Sequence, residues 1–268
     1  MRKYWFALLA LSFLQTIAAT APKTARAAEA APDADKILAK VVEADPFGLA
    51  GAEISARIVV NETSGSTRTL AFEAKSRRHE ASLGKSLLTF RAPADVAGMR
   101  FLQVQNKDGD DERYLYTPDL KRSRRVAASS RGDAFMGTDF TYADLDAREL
   151  RNGKAVIKGE ENVARVPCWR LDVTPRGADA VYGHLELWVR QDNNVPMKWV
   201  IYDRAGKLQK TLAARELRRM GDRWFITMSR MTQHVTGRST DLVLERVTPK
   251  TDIPLESFSI RALERGGS

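Results

Sequence analysis

Alternating apolar and polar positions run along most of the chain and predict strands rather than helices. Period-two alternation or a high content of β-branched residues marks twelve stretches: 52–62, 67–80, 86–91, 99–105, 112–117, 154–161, 164–174, 183–190, 197–203, 207–218, 223–231 and 238–247. Short turns separate most of them, among them the turn predicted at 83–85 (Leu-Gly-Lys). Because short turns join neighbouring strands, consecutive strands are expected to pair as antiparallel hairpins.

Helical spacing occurs near the start of the strand region. Four apolar residues form one stripe of a predicted helix: Ile37, Leu38, Val41 and Val42. Asp33 is suited to cap this helix, and Pro46 and Gly48 are expected to end it. A second short helix is predicted over 142–150. About twelve strands without a βαβ rhythm favour an α+β domain, in which a strongly curved antiparallel sheet or open barrel carries helices on its concave side.

One stretch between the two sets of strands, residues 114–145, follows neither period. It contains a basic run with Arg122, Arg124 and Arg125. Four large apolar residues then crowd into eight positions: Phe135, Met136, Phe140 and Tyr142. Two interpretations are open. Either these residues plug the core beneath a long surface crossover, or they form a lid over an apolar cavity with the arginines at its rim.

The first 27 residues have the three parts of a secretory signal. Arg2 and Lys3 form the charged start, residues 5–19 the apolar stretch, and residues 25–27 (Ala-Arg-Ala) a small-x-small cleavage site. The apolar stretch is too short to predict a membrane-spanning helix. The expected organisation is therefore a removed signal at 1–27 and one domain at 28–268, which acts outside the cytoplasm.

Removal of the signal would lower the net positive charge of the chain. The formal net charge is +9, and the signal holds four basic residues and no acid, so the mature chain would carry +5. That excess suits contact with anionic lipid head groups, or solubility alone, and gives no reason to expect nucleic acid as a partner of an exported protein. The single cysteine, Cys168, has no partner for an internal disulfide.

Few residues suit catalysis or metal binding. The three histidines, His79, His184 and His234, lack the three- or four-residue spacing of metal ligands. No nucleophile elbow, phosphate-binding loop or His-Glu-x-x-His motif occurs. Cys168, between a proline and a tryptophan on a predicted strand, is expected to be a small buried side chain. The sequence therefore predicts no cofactor, no metal and no enzymatic activity.

The stretch that breaks the strand pattern also carries a family resemblance. The residues Tyr116-Thr117-Pro118, the basic run 122–125 and the string FMGTDFTYADL at 135–145 resemble the LolA-like outer membrane lipoprotein-sorting proteins, whose usual string is of the FMGSDF type. The resemblance covers essentially the whole mature chain. It implies a periplasmic carrier with a half-barrel of about eleven antiparallel strands, closed by helices over a hydrophobic cavity for acyl chains. It also implies service beside an inner-membrane transporter of the RND kind.

A lipid carrier needs an apolar cavity that excludes water, because exposing each methylene group of an acyl chain to water costs about 0.8 kcal/mol. Trp188 and Trp199 lie on predicted strands where they could line such a cavity, although alternation fits an ordinary filled sheet core equally well. The lid interpretation assigns cargo contact to Phe135, Met136, Phe140, Tyr142 and the two tryptophans. It assigns contact with an anionic head group or a partner to Arg122, Arg124 and Arg125.

The function expected from these features is periplasmic carriage of a lipid or lipidated protein between membranes, with transient membrane contact. Two alternatives stay open. One is an accessory subunit that binds a transporter without holding lipid, and the other is a hydrolase of amphiphiles, which requires a polar cluster in the pocket.

Overall fold

One antiparallel sheet of thirteen strands accounts for most of the computed structural model, which describes residues 32–43, 51–80, 83–107, 109–145, 148–221 and 223–266. The strands are β1 Gly51–Asn61, β2 Thr67–Glu80, β3 Leu83–Ala92, β4 Arg100–Val104, β5 Glu112–Thr117, β6 Arg122–Arg125, β7 Lys154–Val163, β8 Val166–Thr174, β9 His184–Arg190, β10 Pro196–Tyr202, β11 Leu208–Met220, β12 Arg223–Gln233 and β13 Ser239–Pro249. The predicted signal and the predicted helix end at Pro46 and Gly48 lie outside the described residues.

The order of the strands makes the sheet two meanders joined in the middle. The order is β6-β5-β4-β3-β2-β1-β13-β12-β11-β10-β9-β8-β7, and every neighbouring pair is antiparallel. The pairing of β1 with β13 joins the first meander to the second. Because β6 and β7 are the two edges and do not pair with each other, the sheet stays open. The predicted α+β half-barrel is confirmed, with thirteen strands where about eleven were expected.

The alternating stretches predict the strands well. All twelve are strands, with ends within about three residues of the predicted ones. The thirteenth, β6, is the basic run itself, which has no apolar residue to reveal it. The predicted turn at 83–85 is wrong, because these residues begin β3. Leu83 is buried there, and the Gly84 N–H donates to Gln105 Oε1 at 2.8 Å.

In the part of the chain that the structure describes, three helices flank the sheet: α1 Ala34–Glu43, α2 Arg148–Arg151 and α3 Ile260–Arg265. The predicted cap of α1 is confirmed, since Asp33 Oδ1 accepts the N–H groups of Asp35 and Lys36 at 3.0 and 3.2 Å. A 3-10 turn at Tyr142–Leu145, followed by α2, takes the place of the single helix predicted over 142–150.

The sheet has two faces with different coverings. On the inner face, α1 packs on β7 to β10 and residues 133–145 pack on β1 to β5. On the outer face, α3 and the 3-10 turn Leu255–Phe258 cover the residues of β3 to β5, while Cys168, Trp188, Met197 and Val200 form a separate apolar cluster. The inner face therefore carries the larger part of the apolar core.

Candidate functional site

Residues 133–145, here named the covering segment, fold into a tight loop over the inner face. The Phe135 N–H donates to the Phe140 carbonyl at 2.8 Å, and the Tyr142 N–H donates to the Asp133 carbonyl at 3.2 Å. Two consecutive residues at the tip have positive φ, Met136 at 52° and Gly137 at 76°. A left-handed pair requires glycine or a strained residue, so the tip depends on Gly137.

Thr138 holds this tip closed from within. Its hydroxyl donates to the Phe135 carbonyl at 2.7 Å, and its Oγ1 accepts the Phe140 N–H at 3.2 Å. The side chain thus satisfies backbone groups that leave the sheet pattern inside a buried loop.

The aromatic residues of the covering segment fill the inner face beneath it. Phe135 is only 1% exposed. Its ring centroid lies 5.2 Å from that of Phe101, 5.5 Å from that of Tyr142 and 6.0 Å from that of Phe90. Phe140 is also buried, and Met136 packs partly buried against the same cluster. These contacts match the plug interpretation of the closed loop, and they bring Phe135, Met136 and Tyr142 together in one cluster.

Two arginines, one in β2 and one just before β13, hold the tip through its backbone. Arg68 of β2 donates from Nη1 to the Met136 carbonyl at 3.1 Å, and Arg238 donates from Nη2 to the Gly137 carbonyl at 2.9 Å. These bonds satisfy carbonyl groups that the positive-φ turn directs away from the segment.

Asp139 joins the covering segment to β13, near the middle of the sheet. Its N–H donates to Thr240 Oγ1 of β13 at 3.1 Å, and the same hydroxyl donates to Asp139 Oδ2 at 2.6 Å. Arg238 Nε lies 3.8 Å from Asp139 Oδ1. The carboxylate is nearly buried, so the hydroxyl and the guanidinium supply the partners that a buried charge requires.

A second carboxylate of the covering segment lies in a buried polar cluster that we name the latch: Thr141, Asp144, Tyr182 and Lys210. Asp144 Oδ2 forms an ion pair with Lys210 Nζ of β11 and accepts the Thr141 N–H at 2.7 Å. The Tyr182 hydroxyl donates to Asp144 Oδ1 at 2.7 Å. The side chains of Asp144 and Lys210 are 6% and 3% exposed.

The electrostatics of the latch keep Tyr182 neutral. Burial, and next the negative charge of Asp144, raise the pKa of the Tyr182 hydroxyl well above its usual value. The phenol therefore remains a hydrogen-bond donor to the carboxylate throughout the physiological pH range.

A further buried ion pair fixes the ends of the covering segment. Arg131 Nη2 lies 2.9 Å from Glu149 Oε1 of α2, and both side chains are at most 6% exposed. Arg131 also donates to the Asp179 carbonyl at 3.1 Å, and Glu149 Oε1 accepts the Val181 N–H at 3.2 Å. The loop before β9 is thereby tied to both ends of the segment.

Asp139 and Asp144 flank the aromatic residues of the covering segment, and from the sequence alone they are predicted to cap helices or to pair with Arg122, Arg124 or Arg125. In the structure Asp139 binds Thr240 and Arg238, and Asp144 binds Lys210 and Tyr182. The one available signal was Lys210, a lysine in a strand. Only the register, which pairs it with the inner-face residue Ile201, reveals that it points to the core.

The two predicted tryptophans lie on opposite faces. Trp199 packs against the inner-face cluster beneath α1, whereas Trp188 belongs to the outer-face cluster. The Trp188 Nε1–H donates to Glu161 Oε2 at 2.8 Å, and the ammonium of Lys198 lies 4.1 Å from its ring centroid. The structure therefore brings Trp199, but not Trp188, to the face that the covering segment occupies.

The three predicted arginines are likewise divided between the faces of β6. Arg124 pairs with the inner-face residue Leu115, whereas Arg125 pairs with Tyr114, which packs on the outer face. Arg122, two residues before Arg124, shares its face. Burial raises the pKa of the Tyr142 hydroxyl, and the positive charge of Arg124 opposes that rise. Arg124 thus lies near the covering segment, Arg122 shares its face of the strand, and Arg125 lies on the other face.

Two surface clefts lie near α2. One, of about 300 Å³, lies between α1 and α2 over Leu38, Val42 and Leu150, with Arg151 and Arg176 at its rim. The other, of about 280 Å³, is lined mainly by polar residues around Arg148 and Asn106. The aromatic residues of the covering segment line neither cleft.

Other chemistry is sparse. Within the described ranges, no three His, Cys, Asp or Glu side chains are grouped so that they could hold a metal ion. Burial raises the pKa of the Cys168 thiol, so the thiolate form that reacts as a nucleophile is disfavoured. None of the helices among the described residues has the length and apolar character to cross a bilayer.

The comparisons with known proteins agree with this fold. A family model described as "Uncharacterized protein" matches residues 83–265, and a comparison with the sequences of curated proteins finds no match. Among solved structures, a domain from Vibrio parahaemolyticus described as an outer membrane lipoprotein-sorting protein is 27% identical, with a TM-score of 0.80 over 87% of this chain and 98% of that chain.

Two further structures share the fold at lower identity. A DUF1329 family protein from Desulfovibrio piger is 24% identical, with a TM-score of 0.80 over 85% of this chain and 97% of its own. A LolA superfamily protein from Nitrosomonas europaea is 19% identical, with a TM-score of 0.68 over 85% of this chain and 98% of its own. The half-barrel of this chain is therefore the fold of LolA-like proteins.

Proposed function

Because this chain belongs to the family whose model matches residues 83–265 and has the LolA-like fold, we propose that it carries a lipid or lipidated molecule on the inner face of its sheet. In this proposal the signal at 1–27 is removed and the mature domain shuttles its cargo across the periplasm, served by an inner-membrane transporter. The description of the Vibrio domain as a lipoprotein-sorting protein supports the assignment at 27% identity.

The observation that carries the proposal is the arrangement of the covering segment. Phe135, Met136 and Tyr142 pack on an apolar sheet face, while polar side-chain contacts at Arg68, Arg238, Thr240 and Lys210 hold the segment in place. An acyl chain that replaced the aromatic rings would meet the same apolar wall and gain about 0.8 kcal/mol per buried methylene.

Opening requires that the covering segment leave the face, and its polar attachments ease that step. When Asp144 and Lys210 separate, both charges regain water, which offsets much of the lost Coulomb attraction. An apolar contact of equal burial has no such compensation. Polar attachments of this kind can therefore fix the closed position of the loop and still be released by cargo.

The three arginines of β6 have a narrower role in this proposal. Arg124, near Tyr142, and Arg122, on the same strand face, are suited to an anionic head group of the cargo, because guanidinium groups bind phosphate and carboxylate in bidentate fashion. Arg125, on the other face of the strand, is suited to an acidic surface of the transporter.

The positions of the two tryptophans provide a direct test. Variants that keep only Trp199 or only Trp188, with the other tryptophans replaced by phenylalanine, are mixed with a fatty acid whose acyl chain is brominated. Bromine quenches tryptophan fluorescence at contact distance. We expect quenching of Trp199 on the inner face and little quenching of Trp188 on the outer face. Equal quenching of both, or none of Trp199, would contradict inner-face binding.

One observation favours a second candidate, an accessory subunit that binds a transporter without lipid. Phe135 and its ring partners already fill the inner face at close aromatic spacing. If they are permanent core, protein purified from its native compartment releases no lipid on organic extraction, and neither tryptophan is quenched.

A further inference from the structure

β11 and β12 extend beyond their neighbours as a two-stranded ribbon. The last β11 residue that pairs with β10 is Ala213, opposite Lys198, and β12 pairs with β13 only from Met228 onward. Among the described residues of 215–227, the strand pairs join β11 to β12 and to no third strand. We name residues 215–227 the ribbon.

The ribbon is basic and carries an exposed tryptophan. It contains four arginines against two acidic residues, Glu216 and Asp222. The arginines are all exposed: Arg215, Arg218, Arg219 and Arg223. Trp224 is 38% exposed and lies directly opposite Arg219 in the strand register.

The base of the ribbon is fixed to the domain. Leu217 packs against the outer-face cluster that contains Trp188, and Phe225 is buried. The guanidinium of Arg190 lies 5.3 Å from the ring centroid of Trp224. Leu217 and Phe225 therefore hold the ribbon against the domain, while Trp224 and the arginines are exposed to solvent.

We propose that the ribbon docks on the anionic head groups of a phospholipid bilayer. Guanidinium groups bind phosphate strongly, and basic residues near an anionic surface add to its attraction for the protein. Tryptophan prefers the boundary between head groups and acyl chains, which explains a large aromatic side chain left exposed among arginines. A bilayer offers both environments side by side, so the combination fits a membrane surface better than an acidic protein.

This inference rests on the proposed function, because a lipid carrier must meet a membrane to load or release its cargo. It adds a second surface to the molecule. The ribbon belongs to the second meander and joins the outer-face cluster, whereas the covering segment lies on the inner face. Docking and cargo binding therefore use different residues and can be measured separately.

The test is sedimentation of the mature protein with vesicles of phosphatidylcholine and phosphatidylglycerol at low and high salt. The ribbon variant combines Arg215→Gln, Arg218→Gln and Arg223→Gln. The control variant combines Arg165→Gln, Arg176→Gln and Arg261→Gln, which removes the same charge from exposed sites elsewhere. Each arginine at the surface contributes about fivefold in affinity, so the ribbon variant is expected to bind about a hundredfold more weakly at low salt.

Further readouts complete the test. The control variant should lose only a small part of the affinity for vesicles. High salt should weaken wild-type binding. Trp224→Ala should also bind more weakly than the wild type, and this difference should persist at high salt. Equal losses of vesicle affinity in the two triple variants would overturn the docking proposal, and so would wild-type protein that does not sediment with these vesicles. Lipid extracted from the ribbon variant reports on cargo separately: retained cargo with lost sedimentation supports docking by the ribbon, whereas absent cargo counts against the carrier function instead.

Discussion

Single residues decide how the covering segment is held. Asp144 and Lys210 form an ion pair that is almost fully buried, and Tyr182 and Thr141 satisfy the remaining positions of the carboxylate. Isolated surface pairs contribute about 0–1 kcal/mol, whereas removal of one partner of a buried pair leaves an uncompensated charge. The latch is therefore sensitive to loss of either partner and tolerant of loss of both.

Loss of the Lys210 ammonium should destabilise the latch. Lys210→Met should lower the free energy of unfolding by about 3–5 kcal/mol, because Asp144 stays buried without its cation. Adding Asp144→Leu should recover most of that loss. Urea unfolding curves of the wild type and the two variants measure both effects.

The exposed pair Arg91–Glu73 supplies the control for this measurement. Its side chains are 59% and 54% exposed, so Arg91→Met should change the free energy of unfolding by less than about 1 kcal/mol. If Lys210→Met were as mild as Arg91→Met, the latch would contribute nothing specific to the closed position.

At the scale of elements, the sequence predicts the strands and helices whose apolar residues recur with a regular period. Twelve strands and the helix α1 follow from alternation, helical spacing and the Asp33 cap. β6 escapes prediction because Arg122 to Arg125 contain no apolar residue, and its pairing depends on β5 beside it. The Ser123 N–H, on the free side of this edge strand, donates to Glu264 Oε1 of the α3 helix at 3.0 Å, a contact that no local pattern reveals.

The candidate site was predictable in composition and not in geometry. The aromatic residues of the covering segment stand out in the sequence because they break both periods. The residues that bind Asp144 and Asp139 of this segment are Lys210, Tyr182 and Thr240. They lie between 38 and 101 positions away along the chain. The strand register also determines that Trp188 and Trp199 occupy opposite faces, and register depends on bulges such as the one between Ile201 and Tyr202.

The tip of the covering segment gives a prediction at this scale. Gly137 has a φ of 76°, while an added Cβ meets only Arg68 Nη1 at 3.7 Å, so Gly137→Ala is strained by its backbone rather than by contacts. The variant should lose about 1 kcal/mol or more of stability. Hydrogen exchange should rise first in residues 133–145.

Gly65→Ala is the matched control, because Gly65 also has a positive φ, 87°, and open space around its Cβ position, but it lies in the β1–β2 turn. It should lose similar stability without a selective rise in exchange of the covering segment. A rise of equal size in both variants would mean that this segment opens only with the whole domain.

At the scale of the whole molecule, the covering segment bridges the two meanders. Arg68 of β2 holds its tip from the first meander, Thr240 of β13 holds Asp139 near the junction, and Lys210 of β11 holds Asp144 from the second. A ligand on the inner face that displaced the segment would therefore alter contacts on both sides of the β1–β13 junction. This arrangement suits a carrier whose closed and loaded forms differ in one loop.

Hydrogen exchange of residues 133–145 in lipid-loaded and delipidated protein tests this account most directly. Strands β8 and β9, which have a paired strand on each side, serve as the internal reference for global stability. If an acyl chain replaces the aromatic rings on the inner face, residues 133–145 should exchange faster in loaded protein than in delipidated protein, while the reference strands change little. Equal and strong protection of residues 133–145 in both samples would make the aromatic residues a permanent plug and would contradict the carrier function.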